Sequence, residues 1–198
     1  AGQQGNNFWL QVELFSGSYG GRYGRDGMDS VDVLYANTRN NPIEDIESHV
    51  PLRIERYELR EKVAAAGRWR GGVGSIRKLR FLSPGSVSVE SEGHKYPPRG
   101  LFGGADGTPS QLVREKTDGA EIQLPSKVPH HPFGKDEAIV AIRACGGGYG
   151  NPLERDPQDV LDDVLDEYIT AEQAFEHYRV RIVDGRVDGE ATAAARRA

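Results

Sequence analysis

The side chains best placed to do chemistry in this 198-residue sequence lie on one glycine-rich stretch, Gly17-Ser18-Tyr19-Gly20-Gly21-Arg22-Tyr23-Gly24-Arg25-Asp26-Gly27, followed by Met28 and Asp29. Glycine shapes a loop, and loops carry binding residues out of proportion to their length. Arg22 and Arg25 could hold an anionic or carbonyl group by paired N–H donors. Asp26 and Asp29 could equally pair with those arginines and hold the turn. Both readings are open on the residues alone.

The other constellations read more blandly. Glycine, at 25 residues, forms three further clusters: Gly67-Arg68-Trp69-Arg70-Gly71-Gly72-Val73-Gly74, the stretch 100–107, and Gly146-Gly147-Gly148-Tyr149-Gly150-Asn151-Pro152. A phosphate cradle would lead into a helix with Lys-Ser/Thr behind the glycines. None of the four clusters has that lysine, so tight turns and close backbone packing are expected instead. His130 and His131, in Pro129-His130-His131-Pro132, point to opposite sides of an extended chain and cannot easily share one ion. That pair reads as a surface loop. Cys145, with no neighbouring base, reads as a small buried thiol at a strand end. The residues supply no catalytic set and no metal site.

The elements that must position these groups follow from periodicity. Phe8-Trp9-Leu10-Gln11-Val12-Glu13-Leu14 alternates, which would place Phe8, Leu10, Val12 and Leu14 on one face. Further strands are expected at 31–35, 52–59, 75–82, 87–90, 122–124 and 138–142, with a bulge between Ile54 and Tyr57, where the alternation slips. The stretch 91–109, rich in glycine and proline, reads as a loop between two β layers. Asp156-Pro157 starts the first long helix, carboxylate at the cap and proline at the first helical position. Val160, Leu161, Val164, Leu165 and Tyr168 would form its apolar stripe, with Asp159, Asp162, Asp163 and Asp166 facing water. A second helix starts at Thr170 with Gln173 reaching back. A strand is expected at 178–183, a turn at Asp184-Gly185 and a helical or frayed tail at 191–198. The fold class is therefore α+β: a mainly β body over 1–150 and a helical C-terminal segment over 151–198 containing one strand.

Composition narrows the function classes. The chain carries 25 basic and 30 acidic side chains, a formal charge of −5, and 37% hydrophobic residues. The cations are interleaved with acids, which argues against nucleic acid. No apolar run approaches the roughly 18 residues that span a bilayer. A single cysteine excludes a disulfide framework and fits a reducing cytoplasm. The sole methionine is Met28 and strand-like sequence begins almost at once, so the chain is expected to begin inside a larger protein.

Several of these loops, in order, resemble one family. Gly20-Gly21-Arg22, Arg25-Asp26-Gly27-Met28-Asp29, Pro42-Ile43-Glu44, the run Pro51-Leu52-Arg53-Ile54-Glu55-Arg56-Tyr57-Glu58-Leu59-Arg60 and the Gly67 motif precede Gly146-Gly147-Gly148-Tyr149-Gly150-Asn151-Pro152-Leu153-Glu154-Arg155-Asp156-Pro157 with Val160 and Asp163-Val164 downstream. Together they are similar to the C-terminal third of the B-type subunit of the hydantoinase/oxoprolinase family. The sequence departs from the family pattern at Val63-Ala64-Ala65, where Ser-Gly-Gly is usual, so those positions must accept a Cβ.

The resemblance implies an ATP-dependent hydrolase of cyclic amides working as a hetero-oligomer. An A-type subunit would bind ATP and magnesium and phosphorylate the substrate carbonyl. The N-terminal part of the B-type subunit would carry a divalent metal, so no metal or other cofactor is expected on this chain by itself. A related branch carboxylates ketones, and a purely assembling role for the segment is the rival from another class. Candidate substrate or interface residues are Arg22, Arg25, Asp26 and Asp29 on the first loop and Tyr149, Asn151, Arg155 and Asp156 on the second, with Asp156 also expected to cap its helix.

Overall fold

The computed structural model describes residues 1–31 and 38–198; the strand expected at 31–35 lies largely outside the described residues. The body is built on two antiparallel sheets. In the larger, strands β3 (Leu52–Leu59), β4 (Ser75–Phe81), β6 (Gln111–Glu115), β7 (Glu121–Leu124) and β9 (Ala138–Ile142) lie in the order β3-β4-β9-β6-β7. In the smaller, β1 (Gly2–Gln4), β2 (Asn7–Trp9), β5 (Gly85–Glu90) and β8 (Lys127–Phe133) lie in the order β2-β1-β5-β8. Trp9, Val128 and Phe133 of the small sheet pack with Leu52, Leu79, Phe81, Leu112 and Ile139 of the large one, and Ile46 of the short helix α1 (Ile43–His49) joins them. The Phe81 and Phe133 rings stack at 4.9 Å between centroids. The segment 91–110 contains no strand or helix and carries the chain from β5 to β6, from one sheet to the other.

Three expectations about the body are corrected. The stretch 8–14 is a strand only to Trp9, and its phase is reversed: Phe8, Leu10, Val12 and Leu14 are 73%, 61%, 71% and 52% exposed, whereas Trp9 is 7% exposed. Room for the indole decides this, because Trp9 lies where a Cβ on Gly2 or Gly85 would sit, at 2.7 and 3.0 Å from its Cζ2. Glu13, on the same phase as Trp9, then reaches the buried Arg77 of β4, with Oε2 2.7 Å from Nη1. The histidine pair lies in strand β8 rather than a surface loop. The two flanking prolines are tolerated because β8 is the outer strand of its sheet and needs N–H donors on one side only. β8 also carries one residue more than β5 between the Val87 and Val89 pairings, with His130 in the left-handed region at φ 44°. Finally, α1 is an element beyond those expected, its seven residues being too short to show a helical period.

The bulge in β3 falls where the alternation slips: Ile54 pairs with Leu79 and Arg56 with Lys78, leaving Glu55 over. The extra residue re-aims its side chain, and Glu55 meets Arg80 and, at 3.1 Å, Lys78 on the outer face of the sheet.

Past residue 150 a single 3-10 turn (Pro152–Glu154) leads into α2 (Pro157–Leu165), α3 (Ala171–Tyr178), the hairpin β10 (Ile182–Val183) and β11 (Arg186–Val187), and α4 (Gly189–Arg197). Asp156 caps α2 by accepting from the Gln158 N–H at 2.8 Å, and Thr170 with Gln173 forms a full capping box on α3. Here too the expected pattern changes. α2 ends before Tyr168, where Glu167 turns left-handed at φ 62°. Leu165 is exposed and Asp163 is buried. The strand expected at 178–183 shrinks to Ile182–Val183, because α3 runs through Tyr178 and Arg179 ends it in the left-handed region at φ 56°. Val160, Ile169, Ala174, Tyr178 and Val180 form a second core that Ala66 completes, with Ala64 against it. Ala64 and Ala66 thus supply methyl groups that seat the helices.

Candidate functional site

All four glycine clusters meet in one bundle of extended segments packed backbone on backbone. Gly21 N donates to Gly147 O at 2.8 Å, Gly27 N to Arg70 O at 2.8 Å, Gly72 N to Tyr19 O at 2.9 Å, Gly146 N to Gly72 O at 2.9 Å and Gly148 N to Ala105 O at 2.9 Å. These glycines serve approach more than turning. A Cβ on Gly71 would collide with the Gly146 carbonyl, and one on Gly107 with the Cys145 carbonyl, the same exclusion that fixes glycine at the axis of a collagen helix. Cys145 is fully buried at this junction and its Sγ accepts from Gly74 N at 3.3 Å.

A network of charges locks the helical segment onto this bundle. Arg155 holds Asp26 through two parallel hydrogen bonds, Nη1 to Oδ1 at 2.8 Å and Nη2 to Oδ2 at 2.9 Å, the bidentate geometry that makes arginine–carboxylate pairs strong. Its Nη2 also donates to Asp163 Oδ1 at 3.1 Å. Its Nε lies 2.9 Å from Asp163 Oδ2 as an ion pair without an aligned hydrogen bond. Arg70 takes the other side of Asp163, Nε to Oδ1 at 3.0 Å, and its Nη1 reaches Asp29 Oδ1 at 3.3 Å. Tyr168 donates to Asp29 Oδ2 at 2.7 Å while the Arg70 guanidinium stacks 3.6 Å from the Tyr168 ring centroid. The two loop carboxylates also bind the bundle itself, Asp26 accepting from Arg70 N at 2.7 Å and Asp29 from Val73 N at 2.8 Å.

Two guanidiniums here face three carboxylates, so one negative charge is in excess. Asp163 bears the consequence: burial, with the charge of Asp26 adding to it, pushes its carboxyl up to about 6 against the opposing pull of Arg155 and Arg70. Both arginines are held above their ordinary range, the carboxylates outweighing the burial that opposes them. Tyr178, fully buried beside this cluster, is pushed up to about 12, chiefly by burial. The carbonyls of Tyr178 and Arg155 both accept from Arg196, at 3.1 and 2.8 Å, so α4 ties back to the same point.

Of the residues singled out in the sequence, the structure brings Asp26, Asp29 and Arg155 into direct or shared contact. Arg22 and Arg25 are not part of that group: they flank an exposed tight turn, exchanging two backbone hydrogen bonds of 3.0 Å. Asn151 caps the 3-10 turn through Leu153 N at 3.0 Å, and Asp156 caps α2. Tyr149 lies in an aromatic ridge over the bundle. Tyr23 and Trp69 are 5.1 Å apart, Trp69 and Tyr149 5.6 Å, and Tyr149 and Phe102 5.0 Å, with Arg68 4.8 Å from the Trp69 ring. Tyr23 and Phe102 are exposed. Sequence reasoning missed Arg70, Asp163 and this ridge. The first two sit inside the quoted motifs, but Arg68 adjoins a glycine and Asp159 a valine just as closely, so no local signal singles them out. Among the described residues no group of three His, Cys, Asp or Glu side chains could hold a metal ion, and no helix is long and apolar enough to cross a membrane.

Comparison with known proteins supplies the frame. Residues 1–152 match the model of the family described as hydantoinase B/oxoprolinase. The chain is 54% identical over 194 residues to a protein described as the B-type subunit of a D-/L-hydantoinase from Pseudomonas sp. (strain NS671), a match that covers 97% of this chain and 33% of that protein. Its structure superposes with a TM-score of 0.78 on the crystal structure of an ATP-dependent caprolactamase from Pseudomonas jessenii, at 27% identity over 93% of this chain and 33% of the other. A nucleotide-free acetone carboxylase shares the fold, with a TM-score of 0.70 at 21% identity over 87% of this chain and 28% of the other. The chain therefore spans about a third of the length of the relatives it matches.

Proposed function

We propose a function from one premise: the chain belongs to the hydantoinase B/oxoprolinase family. In this reading it is the C-terminal third of a B-type subunit, and it works in a hetero-oligomer with the preceding part of that subunit and an ATP-binding A-type subunit. The assembly hydrolyses a cyclic amide in the reducing cytoplasm. An unstrained amide resists water. Phosphorylating its oxygen would open the carbonyl carbon to attack by water, after which the C–N bond breaks with the nitrogen leaving as the protonated amine. Hydrolysis of the resulting acyl phosphate releases phosphate. ATP with magnesium would be held by the A-type subunit and a divalent metal by the preceding part of the B-type subunit. The likeness to the caprolactamase supports amide hydrolysis over ketone carboxylation, since the acetone carboxylase likeness reaches only the fold.

The observation that carries the role of this chain is the network joining the half-buried Asp26 and Asp29 to the buried Arg70, Arg155 and Asp163. These five residues come from three of the segments that carry the family resemblance. Each is spent on protein contacts, so they act as positioning residues that fix the 17–29 loop on the glycine bundle. The exposed side of the same loops, with Arg22, Arg25 and Tyr149, is the face we assign to the substrate wall or the remaining subunit. Asn151 and Asp156 serve it by shaping the turn behind Tyr149.

The test is reconstitution. This chain, the preceding B-type part and the A-type subunit are assayed together and in pairs for ATP-dependent hydrolysis of hydantoin, 5-oxoproline and caprolactam, and for ketone carboxylation. Amide hydrolysis requiring all three supports the proposal. Equal turnover without this chain, or carboxylation alone, overturns it. Arg22→Ala is expected to lower turnover without loosening the fold.

A further inference from the structure

A cavity of about 580 Å³ opens between the two sheets, inside the size range of small-molecule sites. Its walls are mostly apolar, including Trp9, Leu79, Phe81, Leu112 and Ile139. Arg143, just past the end of β9, borders it. The buried guanidiniums of Arg70, Arg77 and Arg155 each meet a carboxylate. Arg143 meets none within 4.0 Å among the described residues: its Nη1 donates to Ser91 Oγ at 2.6 Å and its Nη2 has no hydrogen bond. Burial pushes its pKa down, the reverse of the shift at Arg70 and Arg155.

The surroundings do not neutralise it. Arg60 donates only to carbonyls, to Arg143 O at 2.8 Å and Pro109 O at 3.2 Å. His94 Nε2 lies 3.3 Å from the same Ser91 Oγ, and burial together with the Arg143 charge lowers its pKa. Of the two carboxylates on the cavity wall, Glu13 is committed to Arg77 and Glu90 is exposed. A desolvated cation without an anion is costly, and the arrival of one anion would relieve that cost. A single guanidinium beside an apolar chamber suits a carboxylate with a hydrocarbon body better than phosphate, which calls for several donors.

We propose that this cavity binds a small monocarboxylate, its carboxylate on Arg143 beside Ser91 and its apolar body against Trp9, Leu79, Phe81 and Leu112. The site uses no residue of the buried charge network, so it stands or falls apart from the function proposed above.

The chain has two tryptophans, Trp9 on the cavity wall and Trp69 in the aromatic ridge, and their indole N–H resonances report on the two places separately. Sodium hexanoate is titrated into the 198-residue chain, with hexanamide and inorganic phosphate as controls. Hexanoate is expected to move the Trp9 signal and leave Trp69 still, with a Kd of about 1 mM or tighter. Phosphate should leave both still, and Arg143→Gln should weaken hexanoate at least tenfold while sparing the weak binding of hexanamide. An unmoved Trp9 signal at tens of millimolar hexanoate, or equal binding by Arg143→Gln, overturns the proposal. If that variant does not fold, Val89→Phe, which adds bulk to the cavity wall, decides the matter: lost binding supports the site and unchanged binding refutes it.

Discussion

Asp26 and Arg155, 129 positions apart, meet through two hydrogen bonds of 2.8 and 2.9 Å, and that pair is the hinge pin between the glycine bundle and the helical segment. Asp26 sits on the first loop and Arg155 just before α2, so their bond closes about two thirds of the chain into one loop. Asp163 and Arg70 extend the contact into a cluster buried from water.

Removing the buried cation strands its carboxylates, so Arg155→Met is expected to cost about 3 kcal/mol of unfolding free energy. Asp26→Asn, at a side chain that is 34% exposed, should cost about 1 kcal/mol. The double variant should cost clearly less than the sum, because the second change removes a charge already left without its partner. Urea unfolding of the four proteins measures the coupling, and simple additivity would contradict the cluster as described.

Backbone contact across the bundle sets a second expectation. Gly71→Ala should destabilise by about 3 kcal/mol or prevent folding, since its Cβ meets a carbonyl of a neighbouring segment that has nowhere to go. Gly189→Ala is the contrasting case, at the start of α4 with open space around it. It should raise stability by about 0.5 kcal/mol. Thermal melts of both variants give the comparison.

Asp163 predicts a pH effect of unusual sign. Its carboxyl is raised from 3.8 to about 6 in the folded chain. Between those values the folded state holds a proton that the unfolded state has lost, so the contribution of this group to stability rises as pH falls from about 6 toward about 4. A carbon-detected carboxyl titration should find one aspartate near 6, and Asp163→Asn should remove it.

Glu55 acts in the opposite direction. Its hydrogen bond to Arg80, the largest cause, together with Lys78 holds the carboxyl down to about 2 against burial. Stability from this group is complete above about pH 4.5 and is lost as pH falls toward 2. The site is partly solvated, so about 1 kcal/mol is expected. Acid titration of Glu55→Gln should show a shallower loss of stability over that window.

Much of this architecture is legible in local chemistry. The Glu55 bulge, the Asp156-Pro157 start and the Thr170–Gln173 box each depend on residues close in sequence, and each is readable there. Asp163 misleads because three neighbouring aspartates on the same turns do face water, and Arg155 together with Arg70, 93 residues away, makes its burial tolerable. Trp9 misleads because the phase of its strand depends on Gly2, its partner across the hairpin, and on the distant Gly85, which leave room for the indole. The glycine clusters are visible as clusters, but their mutual packing is a long-range property that spacing cannot show. The ion network likewise becomes visible only when three separate motifs come together in space.

The prolines of β8 have a consequence for the chain when it is made separately from any partner. Pro129 and Pro132 withhold two N–H groups along an outer sheet edge, and the extra residue at His130 twists that edge out of register. A strand arriving from another copy would find an interrupted ladder, the means by which sheet proteins discourage edge-to-edge aggregation. The small sheet is therefore closed to extension on this side, and growth by strand addition is left to its opposite margin at β2.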